Sequence, residues 1–143
     1  MSLVDVKTYF RARSATLGFS EWADPINPDN IPESIIDRSY FMRFGTITAI
    51  KQNMSDLELI APINYRVYFK AFNDELNKYD EASTLANSAL IEILKQQNKN
   101  CQTPSIKDVR LIDLTIDPIS ADNDNTWILN FNFEVFLIIS PNN

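Results

Sequence analysis

The stretch LELIAPINYRVYFK, Leu57–Lys70, decides how the rest of the chain is read. Leu57, Leu59, Ala61, Ile63, Tyr65, Val67 and Phe69 fall on odd positions, while Glu58, Asn64, Arg66 and Lys70 fall on even ones. A period of two held over this length predicts a β-strand with one apolar face on a core and one polar face toward water. Pro62 interrupts it. Proline has no N–H to give a ladder, so the strand is expected to be an edge, to carry a bulge, or to bend there. A long bare edge invites pairing with another chain, and a neighbouring subunit is the expected cover.

The same alternation returns at Trp127–Ile139, where Trp127, Leu129, Phe131, Phe133, Val135, Leu137 and Ile139 oppose Asn130, Asn132 and Glu134. Phe136 and Ile138 make its far end apolar on both sides. Ile106–Ile116 is a third strand with a change of phase. Ile112, Leu114 and Ile116 share one parity and Val109 and Leu111 the other, which calls for a bulge near Leu111–Ile112 or burial of both faces. Ser39–Phe44, ended by Gly45, is the fourth; Thr46–Asp56 either extends it or turns. Pro118–Asn125 reads as a turn-rich link.

Two helices complete the pattern. Leu3, Val6, Phe10 and Leu17, with Tyr9 beside them, share one face of a helix over Leu3–Leu17. Ser2 with Asp5 has capping-box spacing, Arg11 and Arg13 suit the C-terminal dipole, and Gly18 sits where a left-handed C-terminal residue belongs. The second helix runs Asp80–Gln97, or from as early as Asp74, on a stripe of Ala82, Leu85, Ala86, Ala89, Leu90, Ile93 and Leu94. The polar tract Gln96–Gln102 ends it. Between Phe19 and Pro32 the sequence resists regular structure, because Pro25, Pro28 and Pro32 remove donors and hold the residues before them extended. Trp22, Ile26 and Ile31 are the apolar anchors of this loop, and Glu33–Asp37 is a single turn after it. The expected architecture is α+β. It is a mostly antiparallel four-stranded sheet with two helices packed on one face, in the order α-β-β-α-β-β, with a long proline-rich loop after the first helix.

The length of 143 residues fits one domain spanning 1–143, and 45% hydrophobic residues place it in the globular class. A net charge of −6 argues against a protein that grips phosphates. No membrane span is expected, nor a secretory leader. With no histidine, the Ser-His-Asp and Cys-His arrangements and histidine metal sites are excluded. With two glycines there is no phosphate-cradling loop. The lone Cys101 reads as an inert thiol. Asp113, Asp117, Asp122, Asn123, Asp124 and Asn125 supply hard oxygen donors of the kind calcium takes, but lack the glycine and closing glutamate of a calcium loop and read as a solvated turn. Arg11, Arg13, Arg38 and Arg43, with Tyr40 and Phe41, offer charge and stacking for single-stranded nucleic acid, against which the acidic balance counts. No enzymatic activity and no cofactor are expected.

Leu17-Gly18-Phe19 closes the first helix; Asn30-Ile31-Pro32 and Asp37-Arg38-Ser39-Tyr40 lie within DNIPESIIDRSYF, Asp29–Phe41. A long strand then ends in Phe69-Lys70, and the Asp122–Asn125 turn precedes the aromatic strand Trp127–Ile139. In these motifs and in their order along nearly the whole chain, the sequence resembles the tail terminator (tail completion) proteins of long-tailed bacteriophages. The resemblance implies a small α+β subunit that closes into a homo-oligomeric ring, a hexamer, at the head-proximal end of the tail. Such a ring caps the tail tube protein and joins it to the head connector or closure protein. DNA passes through its lumen without sequence-specific binding. The location implied is the virion tail or neck, with the host cytoplasm before assembly. The assembly surface expected on this reading comprises Trp22, Ile26, Ile31, Arg38, Tyr40, Pro62, Asp122 and Asp124. The alternatives are another neck protein (a head-closure or connector-adaptor ring), a small α+β ligand-binding module, and a carboxylate enzyme, which would need two acids with raised or split pKa values.

Overall fold

The computed structural model describes residues 2–21, 37–53, 55–71, 78–95, 106–120 and 123–139. They form α1 (Ser2–Leu17), β1 (Ser20–Glu21), β2 (Ser39–Phe44), β3 (Thr48–Gln52), β4 (Leu57–Lys70), α2 (Lys78–Leu94), β5 (Ile106–Ser120) and β6 (Asn123–Ile139). The expected four-stranded antiparallel sheet in the order α-β-β-α-β-β is thereby corrected to a six-stranded mixed sheet, with four strands between the two helices. Two short strands make the difference. Ser20–Glu21, assigned to the irregular loop, runs parallel to β2, and Thr48–Gln52 adds an antiparallel strand beside β4.

The strand order is β1-β2-β4-β6-β5, with β3 on the same side of β4 as β2. β4 is therefore a central strand, which removes the edge alternative among the three that Pro62 left open. The register shows how the proline is accommodated. Phe44 pairs with Ile63 and Thr48 with Ile60, so Gly45–Ile47 stand opposite Ala61 and Pro62 as an interruption between β2 and β3. The Pro62 carbonyl accepts a hydrogen bond of 2.8 Å from Gly45 N. In an extended residue the N–H and C=O point the same way, so the missing donor faces this interruption. On its other side Pro62 pairs with Glu134, and the β4–β6 ladder runs unbroken from Leu57↔Ile139 to Lys70↔Thr126.

The phase change in β5 is resolved by two register shifts, one at Lys107 and one at Ile112. They bring Ile106, Val109, Leu111, Leu114 and Ile116 all opposite core residues of β6 in spite of their mixed parity. Ile112, grouped by its parity with Leu114 and Ile116, is instead the extra residue of a bulge and is 54% exposed. β5 also runs on to Ser120 and β6 begins at Asn123, so the link between them is shorter than the sequence suggested.

Both helices lie against the face made by the odd-numbered residues of β4 and β6. Phe10 of α1 meets Tyr65 and Phe133 at ring separations of 5.7 and 5.4 Å. Ala82, Ala86, Ala89 and Ile93 are the buried residues of α2. Phe131 and Phe133 stack with their planes 6° apart beneath them. α1 ends in a Schellman motif: Gly18 N donates to Ala15 O and Phe19 N to Ser14 O, with Gly18 at φ +80°. Phe19 is then buried in the core, which aims the chain into β1. Neither described helix is long and apolar enough to cross a membrane.

Candidate functional site

Three parts of the structure stand out, and the first is the joint at the end of α1. Ser20 pairs with Ser39 and Glu21 with Tyr40, so β1 lays the end of α1 along the start of β2. Arg11 clamps the joint from the helix side through a two-point contact with Glu21, at 2.8 and 3.1 Å. From the sheet side, Asp37 Oδ1 accepts from Lys70 N at 2.8 Å, and Arg38 N donates to Tyr68 O. Arg38 itself sits at φ +59° with its side chain exposed. A left-handed conformation costs a non-glycine residue on the order of 1 kcal/mol, so the joint holds an arginine at the surface in a backbone shape that disfavours it.

The second part is the face of the sheet opposite the helices. Asn64 Nδ2 donates to Asn130 Oδ1 at 2.7 Å and to Asn132 Oδ1 at 2.9 Å, and Asn132 Nδ2 donates to Asp113 Oδ1 at 2.6 Å. This amide ladder crosses three strands because the period of two sends every even residue of β4 and β6 to this side. Beside it, where Gly45 and Pro62 meet, lies an open groove of about 740 Å³ lined by Arg43, Gly45, Pro62, Asn64, Asp113 and Asn132 among others. Its donors and acceptors are spread along a shallow surface. That arrangement suits extended polar contact with another macromolecule better than enclosure of a small molecule.

The third part is a set of buried hydroxyl groups under α1. The Ser14 hydroxyl donates to Phe10 O and shares a hydrogen bond with the Tyr65 hydroxyl, while Tyr9 donates to Ile93 O and ties α1 to α2. Burial pushes the Tyr9 hydroxyl up to about 12. It also raises Tyr65 and Tyr40, with Ser14 partly offsetting both. The folded state thus favours the neutral phenols. Stability is complete below the ordinary tyrosine value of 10.0, where both states are neutral, and is lost as pH rises from there through about 12. Urea midpoints measured across the alkaline range should fall in this window, and Tyr9→Phe should flatten the fall.

Among the residues singled out from sequence, the structure places Tyr40 in the core at 3% exposure, against Tyr65 at 5.3 Å. Pro62 lines the groove, and Arg38 projects from the joint. Asp124 belongs to β6. Trp22, Ile26, Ile31, Asp122 and Cys101 lie outside the described residues. Arg13, read as a residue suited to the helix dipole, is only 5% exposed and lies over the Tyr9 ring at 5.4 Å. Its spacing of seven from Val6 and three from Phe10 was the signal that put it on the buried stripe. The amide ladder was visible only as polar residues of one parity; its link to Asp113 depends on the bulge at Ile112.

A scan against protein-family models matches none, and a search of curated proteins returns no match.

Proposed function

We propose that this chain is a structural virion subunit of the tail-terminator kind. It closes into a homo-oligomeric ring at the head-proximal end of a phage tail, caps the finished tube, meets the head connector and leaves a lumen through which DNA passes. The observation that carries the reading is the joint at the end of α1. The separated stretches that resemble the family, Leu17-Gly18-Phe19 and Asp37-Arg38-Ser39-Tyr40, form a single piece of structure there, through β1 against β2 and Phe19 and Tyr40 in one core cluster. The stretches that carry the resemblance, distant in sequence, are thus neighbours in this fold.

Two further features support it. A net charge of −6 suits a channel wall that passes phosphates without holding them. The face opposite the helices presents a polar ladder and an open groove, a surface fitted to a protein neighbour. The proposal gives the chain an assembly role and no catalytic one.

Solution mass tests it. At high protein concentration the chain should sediment as a discrete multiple of its 16.4 kDa mass. A species that stays at that single mass at every concentration would count against a ring.

A further inference from the structure

The two edges of the sheet carry opposite charges that find no ion partner among the described residues. Ion pairs among the described residues include Arg11 with Glu21, Lys107 with Glu58, and Arg110 with Asp108. The remainder segregates. Arg38 and Arg43 at β2 and Lys51 on β3 are exposed on one edge, and Asp113 and Asp117 are exposed on β5 at the other. Among the described residues β1 pairs with β2 at Ser39 and Tyr40, and no strand pairs with the outer side of the rest of β2 or of β3. Each open edge also carries a bulge whose extra residue is an exposed isoleucine, Ile50 on β3 at 51% and Ile112 on β5 at 54%.

We infer that this chain binds copies of itself head to tail, the β2–β3 edge of one meeting the β5 edge of the next. Arg43 and Lys51 face Asp113 and Asp117 across the contact, with Ile50 and Ile112 supplying its apolar part. The bulges and charges oppose seamless strand addition, so side chains and not a continuous ladder make the joint. Meeting of like edges sets charges of one sign together, which disfavours a two-fold dimer and leaves the heterologous arrangement. A heterologous contact closes into a ring when its rotation allows and otherwise runs on as a filament. The inference deepens the ring reading by naming the surfaces that touch, and rests on it only for closure.

Charge reversal tests the contact in the full chain. One variant combines Arg43→Glu with Lys51→Glu, the other Asp113→Lys with Asp117→Lys, and circular dichroism checks that each is folded. By sedimentation velocity at low salt, each alone should associate at least about tenfold more weakly than the unaltered chain, because like-charged edges now meet. An equimolar mixture should regain association. The reversed edges match each other in it, and the native edges still match. Lys51→Ala guards against loss through misfolding: Lys51 is exposed on β3, so this variant should be as stable as the unaltered chain yet associate more weakly.

Folded variants that assemble like the unaltered chain would overturn the contact, as would a folded mixture that stays apart. Tail-tube binding separates this result from the reading it rests on. Binding by variants that no longer associate would sink the ring reading and leave the contact standing. Association indifferent to charge reversal, with tube binding intact, would sink the contact alone.

Discussion

Tyr65→Ala should lower the unfolding free energy by about 3–5 kcal/mol, the range for removing a large buried ring. Tyr65 is fully buried at the middle of the central strand. Its ring meets Phe10, Tyr40, Phe131 and Phe133 at 5.7, 5.3, 5.8 and 6.4 Å, so one side chain joins α1, β2, β4 and β6. Truncation leaves a cavity bounded by rings that are themselves fixed by neighbours, and collapse to fill it is limited. It also takes away one of the Ser14 hydroxyl's two partners. With total stability for a domain on the order of 5–15 kcal/mol, the loss is a large fraction of the whole. Tyr65→Phe keeps the ring and should cost about 1 kcal/mol, the usual worth of one hydrogen bond. Denaturant unfolding of the two variants side by side separates packing from the hydroxyl.

Ala89→Leu should cost about 1–3 kcal/mol through overpacking, the opposite fault. Ala82, Ala86 and Ala89 form the buried stripe of α2 and have almost no exposure. Such small side chains let the helix backbone lie close to the sheet, and close approach brings Ile93 O within reach of the Tyr9 hydroxyl. Three added carbon atoms at Ala89 force α2 outward. The test is thermal unfolding together with near-ultraviolet dichroism of the tyrosines. A rise in stability would mean that an unfilled space lies beneath α2.

The sequence made some of this legible and left some hidden, for physical reasons that differ by element. β4 and the core half of β6 showed plainly because alternation along a half-buried strand is a local signal. Pro62 left edge, bulge and bend open because proline reports only that one donor is missing, not which neighbour goes without it. The answer lay in Gly45–Ile47, where β2 and β3 are interrupted opposite it. β1 was hidden because two residues, Ser20 and Glu21, carry no period, and their pairing with β2 is set by the turn at Gly18. β5 showed its change of phase, but two bulges and one exposed isoleucine cannot be told apart from parity alone. Arg38 gave no hint of its positive φ, since nothing about arginine favours it. The charge difference between the sheet edges was likewise out of reach, because it depends on which strands end up outermost.

Microscopy of tube ends tests the proposed capping of a tail tube. Tail tubes of a long-tailed bacteriophage are mixed with the purified protein and viewed in negative stain. The account predicts ring-shaped density added at one end of each tube, with none along the sides. Bare ends at saturating protein, or density scattered along the tube walls, would contradict it.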